Sequence, residues 1–218
     1  MVTFTKDSSL ANKNIPFGIV EVCFGENTKL NTDAFYTLAE EKIAQLKEKY
    51  ADYDRKVVWG ENPYVKFFKK FKKTYPVMLQ FESVVLKDRP FPHFNPIAEL
   101  AFLMEITTFV LSGAHDTDCM DGDVTLYIAD SKEDFEGLRE TLHTYPNDFC
   151  ARDNSGIIFS LIAGTDKRTS AKPNSRNVIF PLFGTPDLDT AVLQNAAETL
   201  VEYIRALAPT AEIQYRII

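Results

Sequence analysis

Two short runs hold residue types from which a site could be built. The first is Arg89-Pro90-Phe91-Pro92-His93-Phe94-Asn95-Pro96, whose prolines hold the backbone extended. The second is Gly113-Ala114-His115-Asp116, reached through the apolar stretch from Ile97 to Leu111. A stiff arm delivers Arg89 and Asn95 to fixed positions, and the His-Asp pair ends the next element. Together they predict a pocket with a few convergent polar groups, lined by both Asn95 and His115. A histidine beside a carboxylate can act as a general base, or hydrogen-bond a substrate amine or hydroxyl. Neighbours on an extended strand point to opposite sides, so His115 and Asp116 pair with each other only if the chain turns there. The plainer alternative is a polar loop between elements.

A second constellation is electrostatic. Lys66, Lys69, Lys70, Lys72 and Lys73 fall opposite the aromatic positions Tyr64, Phe67, Phe68 and Phe71. Such a face can accept phosphates by counterion release, or can simply solvate the outer side of an apolar helix. Asp116, Asp118, Asp121 and Asp123 with Gly122 lack the full calcium-loop pattern, and His93, His115 and His143 have no metal spacing, so no metal is expected. The nucleophile-elbow, phosphate-loop and dinucleotide motifs are all missing, which leaves no cofactor to expect. Cys150 near Arg152 is a thiol whose pKa could be lowered, with buried packing as the alternative.

The elements that must position these residues follow from periodicity. Phe17 to Phe24 reads as a strand bounded by Pro16 and Gly25. Asn31 or Thr32 caps a helix running to about Tyr50, with Phe35, Leu38, Ala39, Ile43, Leu46 and Tyr50 on one side. Asn62-Pro63 starts the lysine helix, expected to reach Lys73. Val77 to Leu86 and Ile97 to Leu111 read as further helices. Ser131 with Asp134 looks like the start of a short helix. Strands are expected over Asp123 to Ala129, Gly156 to Ala163, Asn177 to Phe183 and Ala211 to Ile218. A long helix from Asp187 to Ala208 should bury Leu188, Ala191, Val192, Asn195, Leu200, Ile204 and Leu207. Helices and strands without strict alternation predict an α+β (mixed α/β) fold in one domain over 1–218.

Composition sets the outer bounds. The chain has 218 residues, 45% hydrophobic, enough for a sizeable core. A formal charge of -7 argues against broad non-specific nucleic-acid binding while leaving room for a local basic face. Cys23, Cys119 and Cys150 are odd in number and without a paired spacing, so reduced thiols are expected. No signal peptide and no apolar run of membrane-spanning length is evident, which predicts a cytoplasmic protein with no membrane partner.

Glu82-Ser83, Pro90, Pro92, Asn95-Pro96, Gly113-Ala114-His115-Asp116, Gly122-Asp123-Val124 and Ser175-Arg176-Asn177-Val178-Ile179-Phe180 stand in an order and spacing that resemble the tRNA synthetase B3/B4 domain. The resemblance is strongest over 64–183. It implies a layered sheet flanked by helices, as in the editing module of the phenylalanyl-tRNA synthetase beta subunit or in a free-standing copy of it. That module hydrolyses tyrosine wrongly attached to phenylalanine tRNA. Carried over, the family's histidine falls near His115, here in His-Asp rather than His-x-x-Asp. Its glycine-rich segment corresponds to Ile162-Ala163-Gly164-Thr165, with Gly164 retained. Its substrate-holding glutamate falls on Pro181, which can neither ionise nor hold an ammonium. Free-standing members carry an Arg/Trp-rich strand after a Cys-Arg pair; here Cys150-Ala151-Arg152 remains, and Trp59 is the sole tryptophan.

The resemblance implies an aminoacyl-tRNA-binding protein of trans-editing type, with the acceptor end of a tRNA as partner and its amino-acid moiety as ligand. His115, Asp116 and Asn95 would hold the attacking water or ribose hydroxyls. Arg89, Gly164, Ser175 and Asn177 would contact substrate, and Lys66, Lys69, Lys70 and Lys73 would meet tRNA phosphates. An aminoacyl ester is already activated, so positioning and polar groups near its carbonyl supply much of the rate. The alternative is a non-catalytic module for an amino acid, small ligand or RNA.

Overall fold

A computed structural model describes residues 2–10, 13–25 and 28–218. The chain opens with β1 (Phe4–Lys6) and β2 (Phe17–Cys23), then runs through α1 (Thr32–Lys49), α2 (Arg55–Trp59), α3 (Pro63–Lys70) and α4 (Pro76–Phe81). A π-helical turn over Glu82–Leu86 and the proline arm lead to α5 (Pro96–Thr108). Next come β3 (His115–Asp116), β4 (Val124–Ile128), β5 (Asp134–Glu136), β6 (Thr141–His143), β7 (Phe149–Asp153), β8 (Gly156–Ser160), β9 (Gly164–Thr165) and β10 (Asn177–Phe183). The chain closes with α6 (Thr190–Leu207) and β11 (Glu212–Ile217). Early helices and later strands make this an α+β fold.

Two main sheets form, in the orders β1-β4-β7-β8-β9 and β11-β2-β10-β3. β1 lies parallel to β4; the other pairings are antiparallel. Aromatic rings join the sheets. Phe17 of β2 meets Phe149 of β7 at 5.5 Å between ring centroids, and Phe159 of β8 meets Phe183 of β10 at 4.8 Å. α6 packs on β2 and against α1 and α5, so β2 and β10 lie between helices on one side and the five-stranded sheet on the other. A strand buried on both faces reads as a continuous apolar run, which is what Val178 to Phe183 is.

β10 also accommodates a proline inside a sheet. Pro181 pairs with Ile19 of β2, while Phe183 N donates to Leu111 O at 3.0 Å on the opposite side. Amides two residues apart face the same way, so the missing N–H of Pro181 belongs to that second side. There β3 pairs only with Val178 and Ile179, and no ladder bond is lost.

Local chemistry explains the helix starts. Asn31 accepts from Ala34 N, and Asn62 accepts from Tyr64 N at 2.9 Å ahead of Pro63. Asn95 accepts from Ala98 N, and Glu99 reaches back to Phe94 N and Asn95 N at 2.6 and 2.8 Å. Glu82 opens the π turn and binds Arg55 through two nitrogens and Tyr53 through its hydroxyl at 2.6 Å, fastening the α2 loop to it.

Three local expectations are corrected. Ser131 starts no helix: Asp134–Glu136 pairs with Thr141–His143 as a hairpin in which Phe135 is buried between two exposed carboxylates, a period of two. α3 ends at Lys70, and Lys72 takes a left-handed φ of 57°, so Lys72 and Lys73 stand beyond the helix. In α6 the buried face is Leu193, Ala196, Ala197, Leu200, Tyr203, Ile204 and Leu207, while Ala191, Val192 and Asn195 are exposed. The helix starts at Thr190 behind its Asp189 cap, and two small alanines fill the close contact where larger side chains were expected.

Candidate functional site

A half-open cavity of about 290 Å³ lies where the end of α3 faces the turn joining β8 to β9. Lys73 and Thr74 form one lip, and Ser160, Ile162, Ala163, Gly164 and Thr165 form the other. Phe68, Phe159 and Phe183 supply apolar floor. Gly164 permits the turn because its φ is +116°, a conformation that side chains with a Cβ rarely adopt. The turn is held from beneath by Asp148, whose carboxylate accepts from Ser160 Oγ and from Ile162 N at 3.2 Å, while Ser160 Oγ accepts from Ala163 N at 2.8 Å. Burial raises the Asp148 carboxyl to about 6.

Behind this wall runs a buried polar chain. The Thr169 hydroxyl donates to Asp166, so its oxygen must accept from His115 Nδ1, 2.8 Å away. That fixes the tautomer and leaves Nε2 as a lone-pair acceptor with no partner among the described residues. A methyl group on Gly113 would stand 3.5 Å from Nε2 and 3.3 Å from Thr165 Oγ1, so the missing Cβ opens the imidazole toward Thr165 at the cavity wall. The His115 ring lies 5.7 Å from the Phe159 ring of the floor. Burial lowers the His115 pKa to about 3, so the imidazole is neutral near pH 7. Arg168 continues the network, binding both Asp153 oxygens at 2.8 and 2.9 Å. Glu105 accepts from the cavity-lining Ser112 N at 2.8 Å, and burial pushes its carboxyl up to about 8.

The residues singled out from sequence fall in several places. Gly164 and Lys73 line the cavity beside the β8–β9 turn, and His115 lies just behind it, its ring 5.7 Å from that of Phe159. Asp116 points away from His115 and accepts from the Ser175 hydroxyl, so both residues act in holding β3 to the 172–175 turn. Asn177 donates to Asp118 at 3.0 Å beside an open groove of about 600 Å³ over β2, β10 and β11. Polar groups there already satisfy one another, with Gln214 and Arg216 both bound to Glu21. Arg89 lines a separate surface cavity against α1 with Lys47 and His93. Asn95 caps α5 and donates to Ala171 O at 2.9 Å. It approaches His115 through the backbone of residues 169–171 and does not line the cavity beside the β8–β9 turn. Lys66, Lys69 and Lys70 are exposed, with Lys66 paired to Glu61.

Thr169, Asp166, Arg168 and Glu105 were not anticipated. A Thr-x-x-Asp reading backward from Thr169 gives no signal by itself, because its meaning depends on an imidazole 54 positions earlier. Burial and the Asp148 charge push the Cys150 thiol up, away from reactivity. Among the described residues, no group of three or more His, Cys, Asp or Glu side chains is arranged to hold a metal ion, and no helix is long and apolar enough to cross a membrane.

No protein-family model matches this chain, and no curated protein matches it. Its fold is similar to a crystal structure of an N-terminal fragment of the phenylalanyl-tRNA synthetase beta-subunit from Pyrococcus horikoshii, with a TM-score of 0.50 and 13% sequence identity. The match covers 97% of this chain and 50% of that one, so the chain spans about half the length of the fragment. A distant structural relation is what this likeness shows.

Proposed function

We propose that the chain binds the aminoacylated end of a tRNA, with the amino-acid moiety in the cavity beside the β8–β9 turn and the phosphates on the lysines of α3 and on Lys73. One observation carries this reading. The end of α3 supplies both requirements, because Lys73 forms the lip of a cavity sized for a small organic group. The fold's likeness to a fragment of a phenylalanyl-tRNA synthetase beta-subunit supports a tRNA-related role. In the hydrolytic form of the reading, His115 Nε2 accepts a hydrogen bond from the attacking water or a ribose hydroxyl above Gly113, and Thr169 and Asp166 hold the imidazole in that tautomer.

A second reading, binding without turnover, is favoured by the depth of His115. An imidazole held neutral and wholly buried is a weak base, and Pro181 supplies no charge to a substrate ammonium. A panel of mischarged tRNAs separates the two. Release of free amino acid that His115→Ala abolishes supports hydrolysis; binding of the charged tRNA without release supports the module.

A further inference from the structure

A second cavity, of about 390 Å³, opens on the other flank of the α3 end. Phe67, Phe71 and Pro146 wall it, and Lys13, Lys70 and Asn147 bring polar groups to its edge. Phe71 is half-buried and meets the ring of Tyr145 at 6.1 Å between centroids. Lys70 Nζ stands 5.9 Å from the Phe67 ring centre and Lys73 Nζ 5.5 Å from that of Tyr145, so cations rest on aromatic faces around the opening. The charge is unusual for this chain. Acidic residues outnumber lysine and arginine by 31 to 24, yet Lys13, Lys69, Lys70, Lys72 and Lys73 form no ion pair among the described residues.

We propose that this cavity receives the base of one unpaired nucleotide of an RNA strand whose phosphates lie along Lys13, Lys69, Lys70 and Lys73. The reasoning is chemical. A base has two flat faces to bury and an edge to hydrogen-bond; Phe71 and Pro146 offer flat apolar surface, and the Asn147 side chain makes no hydrogen bond among the described residues. Helix positions three and four apart root their side chains about 5–6 Å from one another, so Lys66, Lys69 and Lys70 form a cationic patch on α3, which Lys73 extends beyond the helix end, and several cations suit a repeating polyanion better than a single phosphate. Stacking on an aromatic ring beside a basic track is how single strands are held without sequence preference. Asp187, next to Pro186, and Asp130, two residues beyond Ile128, are exposed carboxylates that oppose an anion, while Asp148 is turned inward to Ser160. The proposal rests on the RNA-contacting half of the function given above and is independent of its aminoacyl half.

Fluorescence anisotropy with a fluorescein-labelled oligoadenylate tests it, against a blunt-ended, fully paired RNA duplex of the same phosphate count and an oligoglutamate peptide. The oligoadenylate should bind more tightly than either. Phe71→Leu keeps an apolar side chain and removes the ring; it should weaken oligoadenylate about tenfold and leave the duplex unchanged. Lys70→Glu should weaken both RNAs. Equal binding of oligoadenylate and the fully paired duplex, an unaltered affinity in Phe71→Leu with native thermal unfolding, or oligoglutamate bound as tightly as RNA would each overturn it. Ring-dependent oligoadenylate binding by a chain that does not distinguish charged from uncharged tRNA would uphold this cavity's role while removing the aminoacyl reading.

Discussion

Glu105 and His115 are buried ionisable groups kept neutral near pH 7, and they load the fold in opposite directions. The His115 pKa lies below its ordinary value, so its stabilisation is present above about 6.5 and is lost as pH falls toward 3. Glu105 lies above its ordinary value, so its contribution is complete below about 4.5 and is lost as pH rises through 8. Asp148 acts in the same sense as Glu105 but over a lower range, ending near 6. Between pH 6.5 and 8 Glu105 is therefore the one of the three still titrating. Over that interval it should cost about 1.5 kcal/mol of unfolding free energy in urea titrations. Glu105→Gln keeps an acceptor for Ser112 N and should flatten the fall; an equally steep fall in the variant assigns the loss to other groups. At this scale the sequence was only partly legible. His115 stood out by type, but its partners Thr169 and Asp166 arrive on a later loop, and burial could not be read from a two-residue strand.

At the scale of elements, the proline arm and α3 divide structure from function. Asn95 spends its side chain on Ala98 N and Ala171 O, so Asn95→Ala should cost about 1–2 kcal/mol in thermal or urea unfolding, the loss typical of a helix cap. Affinity for tRNA should stay unchanged; a weakened affinity in the folded variant would return Asn95 to the binding surface. The lysines point the other way. Replacing Lys69, Lys70 and Lys73 together by Glu should abolish tRNA binding in a filter or anisotropy assay while leaving unfolding nearly unaffected, because all three are exposed. Unchanged affinity in low salt would reduce the face to solvation. The stripe Tyr64, Phe67, Phe68 and Phe71 was visible in the sequence because four aromatics at helical spacing leave one solution. The phase of α6 was not, since Ala191, Val192 and Asn195 fit a helical face as well as Leu193, Ala196 and Ala197 do. Only packing on α5 and β2 chooses between them.

Across the whole molecule, two sheets and a helical layer leave the α3 end standing between two cavities, one beside the β8–β9 turn and one beside Pro146 and Asn147. The α+β class was legible because helical and strand patterns follow one another without strict alternation, while the double burial of β10 emerged only from the structure. Convergence of the site was legible only in part. Gly164 and Lys73 meet, but Arg89 is carried to the α1 side, because proximity along a stiff arm does not set which face of α5 that arm joins. Ala163 offers the most direct handle, since it lines the cavity beside the β8–β9 turn half-buried and a phenyl ring there would occupy it. The deciding measurement is the affinity of the native chain and of Ala163→Phe for the same tRNA, charged and uncharged. The native chain should prefer the charged form by about tenfold, as burial of one apolar side chain provides, and Ala163→Phe should lose that preference while binding uncharged tRNA as before. Equal affinity of the native chain for the two forms would contradict an aminoacyl group in the cavity.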